Sequence, residues 1–259
     1  MTMDTVSASE RLIVALDVDT KEEAAEIVKA LGNTVSFYKV GFQLYIASGL
    51  EVVGELTRQG KKVFLDLKLD DTPRTVEKTI RNMQKDGIEF FTLQGDGDTV
   101  KAAREGRGKR KNPKFLQVPL LSSRDAQDLG EQLDTGDAAH PVDLDGVVVR
   151  RARRILEAGC DGVIASGTSV GKLRQEIPDI LIVSPGIRLE GSDPNDHKRM
   201  LTPYDAIKAG ADYLVVGRPI RNSSDRSGTA HHVQDEIKRA LADKKPSSAL
   251  LHKVSMTPA

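Results

Sequence analysis

The chain has 259 residues, enough to bury one sizeable core, as a single large α/β domain or as two small ones. Its 38 basic and 38 acidic residues cancel, so no net field draws it to nucleic acid or to an anionic membrane, and any anion must be bound locally. The one cysteine, Cys160, excludes an internal disulfide framework and a multi-cysteine zinc site. No basic leader opens the chain, and no apolar run reaches the ~18 residues of a membrane helix, so a cytoplasmic, unexported protein is expected.

Residues 1–10 read as a short N-terminal extension. Eight apolar runs rich in β-branched residues follow: RLIVALDV (11–18), VSFYKVG (35–41), KKVFLDLKL (61–69), FFTLQG (90–95), KFLQVPLL (114–121), DGVIASG (161–167), ILIVSPGI (180–187) and YLVVGRPI (213–220). Helical stretches separate them. In TKEEAAEIVKALG, Thr20 and Glu23 have the spacing of a capping box, and Ala24, Ala25, Ile27, Val28 and Leu31 are expected to share one face. Alternating strand and helix predicts a parallel sheet with right-handed crossovers. Eight such units predict a single-domain α/β fold, a (β/α)8 TIM barrel over 11–244, with its chemistry at the C-terminal strand ends. Periodicity alone leaves a doubly wound open sheet as the competitor. The basic stretch EGRGKRKNPK (105–114) lacks interleaved aromatics and reads as a solvated loop, and the tail 245–259 as frayed.

Polar residues gather at one end of the runs: Asp17 and Asp19, Lys39, Asp66 and Lys68, Gln94, Ser122 and Ser123, Arg188, and Arg218. The third run, FLDLKLDDTP, shows why that matters. Alternate residues share a face, so Val63, Leu65, Leu67 and Leu69 suit packing against helices, while Phe64, Asp66, Lys68 and, if the strand continues, Asp70 point into a barrel. Asp71 has the opposite parity and belongs to the turn, free to lean over the mouth or toward a partner chain; Pro73 is expected to open the next helix. Buried charges persist only when paired, and an internal ion pair ordering the barrel mouth would serve stability alone. Lys39, one strand over, extends the pair into an alternating array. Like charges ~4 Å apart repel by about 4 kcal/mol at an effective dielectric of 20, so ammonium and carboxylate must alternate. A lysine held between aspartates can deliver a proton to carbon while the carboxylates repel a substrate carboxylate, a combination that points to proton donation to a carbanion.

The loops after runs 7 and 8, SPGIRLEGSDPNDHKR and VVGRPIRNSSDR, each set an arginine beside glycine. In a barrel these are the usual phosphate-binding positions, where backbone can approach closely and a guanidinium can bind phosphate oxygens in bidentate fashion. None of the five histidines, His140, His197, His231, His232 and His252, has metal-ligand spacing, and no GxGxxG follows run 1, so neither a metal nor a dinucleotide is expected.

Asp66-x-Lys68-x-x-Asp71-x-Pro73, with VALDV, YKVG, SPGIR and GADYLVVGRPI in order, resembles the orotidine 5'-phosphate decarboxylase family over about residues 11–225. The resemblance implies a homodimeric, metal- and cofactor-free barrel converting orotidine 5'-monophosphate (OMP) to uridine 5'-monophosphate (UMP) and CO2 in pyrimidine biosynthesis. It implies Lys68 as proton donor to carbon 6, Asp66 against the departing carboxylate, and Lys39 in the charge network and at the ribose. Asp71, with Thr72 and Thr75, would cross the dimer interface. Asp17 would hold ribose hydroxyls, Ser122 the pyrimidine edge, and Arg188, His197, Gly217 and Arg218 the phosphate. The chain departs from the family at His197, where glutamine is usual, and at Asp70, Thr72, Arg74, Gln94 and Pro119, none of them in the Lys39, Asp66, Lys68, Asp71 set. Related sugar-phosphate decarboxylases and synthases share the D-x-K-x-x-D pattern but use magnesium, with an acidic residue where this chain has Lys39; a catalytically silent phosphate-binding barrel is the other alternative.

Overall fold

The computed structural model describes residues 6–83, 87–121, 128–129, 143–190 and 200–243. Each apolar run overlaps a strand, β4 starting two residues before its run: β1 Leu12–Ala15, β2 Phe37–Gly41, β3 Lys62–Leu69, β4 Ile88–Leu93, β5 Lys114–Gln117, β6 Gly162–Ile164, β7 Leu181–Ser184 and β8 Tyr213–Val216. Neighbouring strands are parallel in sequence order and β1 pairs with β8, which closes the barrel and excludes the open sheet. Around it lie α1 Lys21–Leu31, α2 Phe42–Arg58, α3 Pro73–Asn82, α4 Gly97–Arg107, α5 Leu144–Glu157, α6 Thr168–Glu176, α7 Pro203–Ala209, α8 Arg218–Arg221 and α9 Arg226–Ala242. Among the described residues no helix is long and apolar enough to cross a membrane.

Several strands stop before their apolar runs do. β5 ends at Gln117 because Pro119 has no amide to extend the ladder. β8 ends at Val216, since Gly217 (φ −107°, ψ −100°) turns the chain and Pro219 lies in the first turn of α8, so Arg218 opens a helix rather than closing a strand. Thr20 does cap α1, its side chain accepting from the Glu23 amide at 3.1 Å, but the Glu23 carboxylate accepts from the Asp19 amide rather than from that of Thr20, and Ala25 lies on the exposed side. Pro73 opens α3 as expected. The basic stretch is less solvated than its composition suggests. Lys109 and Lys111 are exposed, whereas Arg107 pairs with Asp161 at 2.8 Å and Arg110 donates to the carbonyls of Met83, Ile80 and Gly106. The tail 245–259 lies outside the described residues.

Two apolar layers hold the barrel. The outer one packs strand side chains such as Val14, Val40, Leu65 and Ile182 against helices. The inner one fills the barrel with Ile13, Ala15, Phe37, Phe64, Phe90, Leu116, Leu181, Val183 and Val215. Each fully buried Phe or Leu contributes about 1.5–3 kcal/mol by leaving water. Near the N-terminal end the ring of Phe90 meets Phe37, Phe64 and Tyr213 at centroid distances of 5.2, 5.9 and 5.1 Å, forming a solid floor beneath the strand ends.

Candidate active site

On β2 and β3 the inward alternation carries on past the aromatic floor: Phe37 is followed by Lys39, and Phe64 by Asp66. Lys39 Nζ lies 2.8 Å from Asp17 Oδ1 and 3.5 Å from Asp66 Oδ2, and Lys68 Nζ lies 2.8 Å from Asp66 Oδ1. The result is a continuous row of carboxylate, ammonium, carboxylate, ammonium contributed by the segment just after β1 and by β2 and β3. Gly41 makes room for it, because a Cβ there would come within 3.1 Å of Lys39 Nζ and 3.3 Å of Asp17 Oδ1. Burial alone would push the Asp66 carboxyl up, but the charges of Lys39 and Lys68, with hydrogen bonds from Lys68 and Thr92, hold it below the ordinary aspartate value. Burial likewise opposes the Lys39 ammonium, and Asp66 and Asp17 more than offset it, raising that pKa above 10.5.

Lys68 has φ +46°, the one positive φ among the described non-glycine residues. Its cause is a bulge: β3 has three residues between its pairings with Phe91 and Leu93 where β4 has one. Such a conformation costs about 1–2 kcal/mol. Thr92, fully buried on β4, supports it. Its Oγ1 accepts from the Lys68 amide at 2.8 Å and donates to Asp66 Oδ1 at 3.0 Å. Leu67 and Leu69 still pack on the outer layer, so the expected faces hold through Lys68. They do not extend to Asp70. That side chain is exposed, and its carboxylate crowds Gly95 together with Thr99, away from the lysines.

Two cavities meet at the array. One of about 120 Å³ is lined by Lys39, Asp66 and Lys68 on one side and by apolar groups including Val118, Leu120, Ile164 and Val215. The other, about 290 Å³, shares Lys39 and Asp66 and continues to Asp17, Gly217, Arg188 and Arg218. Gly186 supplies its turn with φ +75°. Burial and the neighbouring Arg218 guanidinium push the Arg188 pKa down. An apolar slot beside a charge array and a cationic recess next to it suit a flat, uncharged ring carried on a phosphorylated chain.

The structure thus brings together Asp17, Lys39, Asp66, Lys68, Arg188, Gly217 and Arg218. Asp71, Thr72 and Thr75 are exposed and apart from the array: Asp71 Oδ1 accepts from the Thr72 amide at 2.6 Å, and the two threonine hydroxyls lie 3.1 Å from each other. Ser122, Ser123 and His197 lie outside the described residues. Three contributors escaped the sequence reading. Thr92 and Ser166 follow the inward parity of β4 and β6, and that parity could have found them. Arg221, at the end of α8, lines the cationic recess and donates to the backbone carbonyl of Asp17; its only signal was a second arginine three residues after Arg218. Among the described residues no three His, Cys, Asp or Glu side chains are grouped as metal ligands.

Comparisons with known proteins identify the family. Residues 10–233 match the profile of the Orotidine 5'-phosphate decarboxylase / HUMPS family. The chain is similar to the orotidine 5'-phosphate decarboxylase of Lactobacillus acidophilus, at 34% identity over 88% of this chain and 99% of that one, with a TM-score of 0.73. An uncharacterized conserved protein from Geobacillus kaustophilus gives 30% identity, 87% and 99% coverage and a TM-score of 0.73. Orotidine 5'-phosphate decarboxylase from Pyrococcus horikoshii gives 27% identity, 88% and 99% coverage and a TM-score of 0.67. The profile spans all eight strands and both arginine-bearing loops, and the chain belongs to the orotidine 5'-phosphate decarboxylase / HUMPS family.

Proposed function

We propose that the protein is an orotidine 5'-phosphate decarboxylase that converts OMP to UMP and CO2 without a metal or cofactor. The observation that carries this reading is the Lys39 ammonium seated between Asp17 and Asp66 at 2.8 and 3.5 Å. A divalent cation held by those carboxylates would face a fixed positive charge, which disfavours the magnesium-dependent sugar-phosphate chemistry of the family's other members.

In this mechanism the phosphate occupies the recess of Arg188 and Arg218, Asp17 and Lys39 hold ribose hydroxyls, and the pyrimidine enters the apolar slot. Asp66, kept ionised by two lysines, faces the substrate carboxylate and raises the energy of the bound ground state. The bond from carbon 6 to the carboxylate breaks, CO2 leaves, and the electron pair stays on carbon 6. Lys68 donates a proton from Nζ to that carbon, and the neutral amine regains a proton from solvent. Distant phosphate binding energy helps hold the ring against the array.

The proposed assembly is a homodimer. Phe42 and Ile46 are exposed apolar residues one turn apart at the start of α2, beginning at the catalytic end of β2, and Leu50 is exposed just past the break in that helix at Gly49 (φ 58°, ψ −145°). A second copy covering them would also place a neighbour near the exposed Asp71, Thr72 and Thr75, completing the active site. The test is the ultraviolet absorbance change of OMP in the presence and absence of EDTA. Consumption that EDTA does not alter is expected; no consumption, or loss with EDTA and rescue by magnesium, overturns the reading. Ile46→Asp should yield monomers by analytical ultracentrifugation with much reduced turnover, and a fully active monomer would refute the shared site.

A further inference from the structure

The wall of the smaller cavity carries a polar group that the charge array does not use. Ser166 follows β6 in the alternation that turns Ile164 into the barrel and Val163 and Ala165 outward. It is only 3% exposed and lines the cavity of about 120 Å³ with Asp66 and Lys68, and its hydroxyl makes no hydrogen bond with a described residue. The other polar side chains of this lining, Lys39, Asp66 and Lys68, are paired with one another or with Asp17. Ser184 offers a contrast: it too is buried without a partner, but it follows the outward Ile182 on β7 and is absent from the cavity wall.

The Ser166 hydroxyl opens onto this cavity, and a ligand that fills the cavity must pair with it or leave it unsatisfied. The rest of the wall away from the lysines is apolar, so a flat ring in the slot finds one neutral hydrogen-bonding side chain there among the described residues. Such a site favours a ring with an in-plane carbonyl and disfavours one that leaves the hydroxyl unsatisfied.

We infer that Ser166 is a base-binding residue whose hydroxyl donates a hydrogen bond to a ring carbonyl oxygen of the pyrimidine. The inference rests on the nucleotide substrate proposed above. Its test is calorimetric titration of wild type and Ser166→Ala with UMP and, separately, with ribose 5-phosphate, which keeps the phosphate and sugar but lacks the ring. Ser166→Ala should weaken UMP by about fivefold and leave ribose 5-phosphate within about twofold, the scale of one neutral hydrogen bond. The melting temperature of the ligand-free variant should stay unchanged, because the hydroxyl has no protein partner to lose. Equal UMP affinities, equal weakening of both ligands, or a lowered ligand-free melting temperature would each overturn the assignment. If wild type itself neither binds UMP nor consumes OMP, the functional reading falls first, and the base-binding role falls with it.

Discussion

The floor and the mouth of the barrel are built from the same strands, two residues apart. Phe37, Phe64 and Phe90 point inward and their rings meet around Phe90; Lys39, Asp66 and Thr92 are their next inward neighbours toward the C-terminal ends of β2, β3 and β4. At the lower level, contact between rings is enough, since aromatic groups bury without partners. At the upper level every group needs a counterpart, and Asp17, Lys39, Asp66, Lys68 and Thr92 are correspondingly bonded to one another. Stability can therefore be concentrated in the floor and chemistry in the mouth, with the rigid floor fixing where the strand ends stand. Substitutions in each level should separate the two properties.

The largest effect is expected from Lys68→Ala. Loss of the proton donor should lower kcat on OMP by about 10³-fold or more, within the range that a positioned acid supplies or above it. The melting temperature should move little, because Asp66 retains Lys39 as its partner. A variant keeping most of its rate would remove Lys68 from the chemistry. Phe90→Ala is the mirror experiment. It empties the centre of the aromatic floor and should cost about 3–5 kcal/mol in denaturant unfolding. Turnover per folded molecule should stay within about tenfold of wild type, and a collapse of kcat there would show that floor and mouth are not separable.

The same two levels mark how far the sequence could be read. The count of eight strand–helix units found the barrel, and alternation along the third run found the inward Asp66 and Lys68 and the outward Leu67 and Leu69, because period-two geometry governs any strand with one apolar face. It failed at Asp70, where the bulge and the positive φ of Lys68 end the regular alternation on which parity depends. Thr92 was hidden for another reason: a threonine in FFTLQG looks like ordinary strand composition, and only the register with β3 shows that it faces the Lys68 amide. Arg107 and Arg110 show the limit of composition. Besides nearby carbonyls, their partners are Asp161 and the carbonyls of Met83 and Ile80, contributed by segments distant in sequence that no local pattern identifies.

Arg218→Ala probes the mouth at its far end. Loss of a charge-assisted contact to phosphate should raise KM for OMP by about 10–100-fold. Affinity for uridine, which has no phosphate, should not change in a direct binding titration. An equal loss for both ligands would place Arg218 in the structure of the recess rather than on the phosphate.

The smallest change expected, and the sharpest test of the boundary between the levels, is Thr92→Val. It keeps the side chain's shape but removes a donor to Asp66 and the acceptor of the strained Lys68 amide. Stability near neutral pH should fall by about 1–2 kcal/mol, and kcat by a few-fold as Lys68 loses its support. The pH dependence should separate this from a generic packing defect. Asp66 is held below its ordinary 3.8 in the folded chain, so its contribution is present above 3.8 and lost as pH falls through the lower folded value. The hydrogen bond from Thr92 is one of the groups holding it down. Without that bond the folded value rises toward 3.8, and acid unfolding followed by circular dichroism should begin at higher pH. The alkaline limb should keep its position. Lys39 is raised above 10.5, against burial, by Asp66 and Asp17, so its contribution is present below 10.5 and fades only as pH climbs through the folded value, with no part played by Thr92. A variant that shifts both limbs equally would make Thr92 a packing residue of the floor; one that shifts only the acid limb places it with the charges above.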